Sequence, residues 1–86
     1  MILSNKFCMQ KQELGSILLD YDSGKYLQLN DTGAACIDII VGFGGREFTV
    51  IDVAKRFGNQ FNIEESIAEN HVSHFVGQLR DLGIVK

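Results

Sequence analysis

His71 and His74 stand three residues apart near the end of the chain. On a helix, that spacing turns both imidazoles to one side. Two imidazoles can begin a metal site, but zinc wants three or four protein ligands. The nearest other donors in sequence are Glu65 and Glu69, and no further Cys or His has ligand spacing. We read the pair as surface or groove-lining histidines without a metal. Cys36 has the chemistry of a nucleophile if a histidine base lies beside it. Its surroundings, GAACIDII, are an apolar helix, and a small packed thiol suits them better. The run Gly42-Phe43-Gly44-Gly45 is rich in glycine, but it follows a helical stretch and no Lys-Ser or Lys-Thr comes after it. A phosphate cradle needs a strand before it and a helix after it. The carboxylates are scattered among caps and exposed positions, with no acid and base pair. These residues give no catalytic constellation, no metal site and no cofactor site.

The elements that would position a binding surface come first in the chain. Residues 7–13 mix apolar and polar side chains and read as a strand. Residues 16–21, SILLDY, form a stronger one. Asp22, Ser23 and Gly24 then supply turn chemistry, and residues 25–29, KYLQL, complete a hairpin. Asn30, Asp31 and Thr32 offer N-caps for a helix over about 32–41, with Ala35, Ile39 and either Cys36 or Ile40 on one face. The three following glycines end that helix in a loose connection. Thr49 opens a second helix with Asp52 at its N-terminal dipole, Val50, Val53, Ala54 and Phe57 as its apolar stripe, and Gly58 just past its end. Asn62 and Glu65 suggest a capping box for a third helix, with Ile63 stapled on Ile67. Its stripe runs through Ala68, Val72, Phe75, Leu79 and Leu82. Gly83 stops it, and Ile84 folds back. Strands first and helices after predict an α+β, winged-helix-like domain. Its three-stranded antiparallel sheet packs beside a three-helix bundle, and one domain spans residues 1–86.

Composition narrows the partners. The 86 residues carry eight Lys and Arg against eleven Asp and Glu, a formal charge of −3. Phosphate backbones and anionic membranes call for clustered cations, so neither nucleic acid nor membrane is expected. The third helix opens with Glu64 and Glu65 and continues with Glu69, which argues against a DNA-recognition helix. No apolar run spans a bilayer, and the first residues lack the layout of a signal peptide. A cytoplasmic location with Cys8 and Cys36 as free thiols is the expectation.

The remaining feature is an edge. A sheet of three short strands leaves unpaired N–H and C=O groups on its outer strands. In the strand 25–29, Tyr26 and Gln28 share one face, and Lys25, Leu27 and Leu29 share the other. An incoming peptide can add as a further strand there, with pockets between strand and helix selecting its side chains. A homodimer joined through the same edge is the rival use.

Residues 17–35, ILLDYDSGKYLQLNDTGAA, resemble the PqqD-like proteins. The shared pattern is an apolar strand, a Ser-Gly turn, a tyrosine, then Leu-Asn-x-Thr-Gly-Ala opening a helix. Residues 49–54, TVIDVA, and the ending 79–84, LRDLGI, also fit, so the resemblance covers roughly residues 14–86. It implies a recognition element for ribosomally made, post-translationally modified peptides (RiPPs), a non-enzyme that binds the leader of a precursor peptide. The leader is expected to pair with Lys25, Tyr26, Leu27, Gln28 and Leu29. It would lie against Ile67, His71, His74, Phe75 and Gln78. The expected partner is a leader peptidase or other peptide-modifying enzyme. The segment around Ser-Gly-Lys-Tyr is more similar to stand-alone recognition proteins of lasso-peptide clusters than to those serving pyrroloquinoline quinone synthesis or other radical-SAM enzymes. Leu27→Pro is expected to abolish capture where the Leu27 N–H faces the leader. The acidic excess suggests basic residues in the leader or on the enzyme, hence weaker binding at high salt.

Overall fold

The computed structural model describes residues 1–4, 6–13 and 15–86, with Gln12 described by its backbone alone. Three strands precede three helices. They are β1 (Phe7–Gln12), β2 (Gly15–Asp20), β3 (Tyr26–Leu29), α1 (Asp31–Val41), α2 (Val50–Phe61) and α3 (Glu65–Asp81). The α+β order expected from the sequence is the order observed. The strands form one antiparallel sheet in the order β1-β2-β3, with Leu18 opposite both Met9 and Leu27.

Alternation along β2 sets which face is buried. Ser16, Leu18 and Asp20 point into the protein, while Ile17 and Leu19 are half-buried on the outer face. In β3, Leu27 and Leu29 share the inner face and Tyr26 and Gln28 the outer one, matching the pleat. The turn between these strands is organised from one residue upstream of its glycine. The Asp20 carboxylate accepts from the Ser23 hydroxyl at 2.7 Å and from the Asp22 N–H at 3.4 Å, and the Gly24 N–H donates to the Asp20 carbonyl at 3.0 Å.

Against the inner face lies a core of Leu18, Leu29, Cys36, Ile37, Ile40, Val53, Phe57, Val72 and Leu79, among others. On α1 the buried side is Gly33, Cys36, Ile37 and Ile40. The expected Ala35 and Ile39 stripe is instead the half-buried flank. The glycine-rich connection after α1 is not loose. Phe43 and Phe48 are both buried and stack with centroids 5.4 Å apart, and the Arg56 guanidinium sits 4.1 Å over the Phe43 ring.

The helix boundaries correct two expectations. Thr49 and Asp52 do form a reciprocal capping box at the start of α2. Gly58, however, is inside α2, where an added Cβ would stand 3.0 Å from the Ile63 carbonyl and 3.6 Å from the Ala68 Cβ. Its missing side chain serves helix packing, and α2 ends three residues later at Phe61. Asn62 then takes the left-handed conformation (φ 54°, ψ 49°) as the C-cap of α2. It therefore cannot cap α3, whose N-cap is Glu64 with no side-chain hydrogen bond. The other end of α3 follows the sequence reading. Gly83 has φ +77°, its N–H donates to the Arg80 carbonyl, the Ile84 N–H donates to the Leu79 carbonyl, and Ile84 is buried. The second and last residues pair with each other: the Ile2 N–H donates to the Lys86 carbonyl and the Lys86 N–H to the Ile2 carbonyl.

Candidate functional site

β3 is an outer strand of the sheet, and its free groups follow from hydrogen-bond parity. The Asp20 N–H donates to the Lys25 carbonyl at 2.9 Å, which makes Asp20 and Lys25 a bonded pair. In an antiparallel ladder bonded and non-bonded pairs alternate. Leu18 with Leu27 and Ser16 with Leu29 are then bonded pairs too. The other ladder agrees, since the Tyr21 N–H donates to the Lys6 carbonyl, which turns Leu19 and Ile17 toward β1. The main-chain groups of Lys25, Leu27 and Leu29 thus face β2. Those of Tyr26 and Gln28 face outward. The Leu27 N–H is an internal sheet bond, so Leu27→Pro would damage β3 itself. It would not selectively remove a bond to a bound strand.

β3 and α3 do not pack on each other directly: no Cα of β3 comes within 8 Å of a Cα of α3. The junction Leu29-Asn30-Asp31-Thr32-Gly33 leads from the strand into α1. Leu29, 3% exposed, anchors the strand in the core. The Asn30 side chain then accepts from the Gly33 N–H at 2.8 Å and starts α1, a cap worth about 1 kcal/mol. A Cβ on Gly33 would stand 3.3 Å from Leu29 Cδ2 and 3.4 Å from Phe75 Cε1. The absence of that atom lets strand, α1 and α3 meet at one point.

At that meeting point lies a cleft of about 220 Å³, lined by Asn30, Thr32, Gly33, Cys36, His71, His74, Phe75 and Gln78. Phe75, 7% exposed, belongs to the core and presents one edge as the cleft floor. His71, His74 and Gln78 are exposed along one rim. Ile67, 47% exposed, continues their stripe one turn earlier but does not line the cleft. Cys36 is buried, and burial pushes its thiol up to about 11, so little thiolate exists at neutral pH.

Of the residues expected at a binding surface, His71, His74, Phe75 and Gln78 come together here, and Tyr26 and Gln28 line the adjoining edge. Lys25 lies just before β3, and Leu29 is spent on the core. Asn30, Thr32, Gly33 and Cys36 were not expected as lining. The signal for the first three is the Leu-Asn-x-Thr-Gly junction, which the sequence reading takes as a cap and a family motif; Cys36 it reads as a packed thiol. The opposite edge, β1, borders a different hollow of about 380 Å³, whose lining includes the charged Lys11, Glu13, Asp31 and Asp38. Among the described residues, no group of three or more His, Cys, Asp or Glu could hold a metal ion, and no helix is long and apolar enough to cross a membrane.

Comparison with known proteins agrees with this architecture. The family model for coenzyme PQQ synthesis protein D (PqqD) matches residues 15–85. A solved structure of lasso peptide synthetase B1 complexed with the leader peptide is similar at 27% identity and a TM-score of 0.74, with 98% of this chain and 94% of that chain covered. The structure of TbiB1 in complex with the TbiA(beta) leader peptide is similar in fold, at 15% identity and a TM-score of 0.77, with 100% and 95% covered. Comparison with curated proteins returns no match. With its strand-then-helix order, its Leu-Asn-x-Thr-Gly junction and a family match over residues 15–85, the chain belongs to the PqqD family.

Proposed function

We propose that this chain is a RiPP recognition element that captures the leader of a precursor peptide and hands it to a separate enzyme, performing no chemistry itself. The observation that carries this reading is the open β3 edge beside a cleft whose lining has no charged carboxylate, lysine or arginine. A leader strand would exchange main-chain bonds with Tyr26 and Gln28. Alternate leader side chains would then turn toward the cleft and Phe75, and the rest toward the outer face beside Tyr26. The main chain sets register, while one or two anchored side chains supply most of the affinity. Holding the leader raises the local concentration of the attached core peptide at its enzyme.

A lasso-peptide pathway, with a leader peptidase as partner, is the assignment supported by the likeness to a B1 protein solved with its leader. The family description favours a second reading, a role in coenzyme PQQ synthesis, for which the resemblance implies a radical-SAM enzyme as the partner. The two differ in which leader binds. An amide-shift NMR titration with synthetic leaders of both kinds decides between them. Saturable shifts in residues 26–29 and along α3 are the expected result with the lasso leader. Shifts confined to the β1 edge, or none at high excess of either leader, refute the capture site.

A further inference from the structure

Resting on that reading, we propose that His71 and His74 are the charge-selecting residues of the leader cleft: as neutral imidazoles they accept an uncharged leader side chain, and their protonation expels it. Both line the same cleft, from adjacent turns of α3. No carboxylate lines the cleft: on α3, Glu69 stands two residues from His71 and so on the opposite side of the helix, Glu65 lies nearly two turns before it, and Glu64 and Asp81 are two turns away along the helix. On α3 the residues one turn away, Ile67, Ala68, Asn70, Phe75, Gly77 and Gln78, are all uncharged. From α1 the cleft receives Asn30, Thr32, Gly33 and Cys36. The one acid in the first turn of α1, Asp31, lines the hollow on the β1 side instead. β3 contributes no charged residue, and Lys25 just before it is a cation.

Exposure gives the effect its sign. In the free protein both imidazoles are exposed, so water solvates either protonation state. A leader seated in the cleft removes that water. Covering an imidazolium with no carboxylate opposite is costly, whereas a neutral imidazole can still share a hydrogen bond with the leader. The positive end of the α1 dipole lies on the facing wall and adds repulsion in the same direction. Capture therefore takes the neutral pair, and at acid pH it must release protons.

The test is fluorescence anisotropy with a fluorescein-labelled synthetic leader of the neighbouring precursor, at pH 7.5 and pH 5.5, on the wild type and on His71→Gln/His74→Gln. Both substitutions are at exposed positions, and circular dichroism checks the fold. The wild type is expected to bind about fivefold or more weakly at pH 5.5, the scale of leaving one charged group unpaired. The double variant is expected to bind equally at both, which separates these groups from any titration in the peptide. Equal or tighter wild-type binding at pH 5.5 overturns the proposal, as does the same loss in the double variant. No binding at pH 7.5 overturns leader capture itself, and this inference with it.

Discussion

Gln28→Pro is the sharpest perturbation of the β3 edge. The Gln28 N–H points away from β2, so proline there removes no bond of the domain and is tolerated as prolines on outer strands are. In the complex it deletes one leader-facing donor and leaves a leader carbonyl unpaired under the ring. A lost hydrogen bond with an unsatisfied partner costs about 1–3 kcal/mol. At 1.4 kcal/mol per tenfold, that is roughly a fivefold to 150-fold weaker Kd. Leu27→Pro acts elsewhere. It breaks the bonded pair with Leu18 and costs a similar amount of folding stability, from a total of about 4–13 kcal/mol for a chain of this size. Calorimetric titration with the leader, paired with urea unfolding of each variant, separates the two effects. We expect Gln28→Pro to keep its unfolding midpoint and lose affinity, Leu27→Pro to lose its midpoint, and Gln28→Ala to change neither much. Met9→Pro on the β1 edge is the counter-test. If it weakens the leader while Gln28→Pro does not, the leader adds to β1 and the parity argument has been applied to the wrong edge.

Other outcomes follow from the same geometry. Gly33→Ala puts a methyl 3.3–3.4 Å from Leu29 and Phe75. The gain in helix propensity, about 1 kcal/mol, offsets the crowding, so the unfolding midpoint should stay nearly fixed while leader affinity falls as the cleft floor shifts. In a thiol titration at pH 8, half-buried Cys8 is expected to react promptly and buried Cys36 only on unfolding, and two equally fast thiols would contradict the packing of α1. The Ser23 hydroxyl bond, aided by nearby backbone N–H groups, holds the Asp20 carboxyl below its ordinary value. A lowered folded-state pKa gives stability that is present above the unfolded value near 3.8 and is lost as pH falls through the folded one. Asp20→Asn should therefore be less stable at neutral pH and show a flatter acid limb in pH-dependent thermal melts. Parallel curves would mean that Asp20 does not fix the turn.

Much of this was legible in the residues because it depends on local chemistry. The alternation in β3 showed which side chains face inward, and Gly83 with Ile84 marked the close of α3. What escaped depends on partners distant in sequence. Side-chain alternation reveals the two faces of a strand but not which of its N–H groups point sideways to a neighbour, so the direction of the Leu27 N–H needed the Asp20–Lys25 bond. Gly58 looked like a helix end because a glycine required by a neighbouring helix is indistinguishable, by type, from one required by a turn. Asn62 suits both a C-cap in the left-handed conformation and an N-cap, and its φ of 54°, with its N–H on the Gly58 carbonyl, shows the first. The cleft lining from α1 was hidden for a similar reason, since Gly33 and Cys36 acquire that role only where Phe75 arrives from α3.

The pairing of Ile2 with Lys86 has a practical side. A chain whose second and last residues lie together can be spliced into a host sequence as a side loop, leaving the host's own path nearly undisturbed. The splice point adjoins Phe48, whose N–H donates to the Met1 carbonyl. Phe48 stacks on Phe43 just past the C-terminal end of α1, whereas Asn30 caps the other end, about 16 Å of helix away. A fluorescent reporter or a tethered enzyme attached at either end would share one exit.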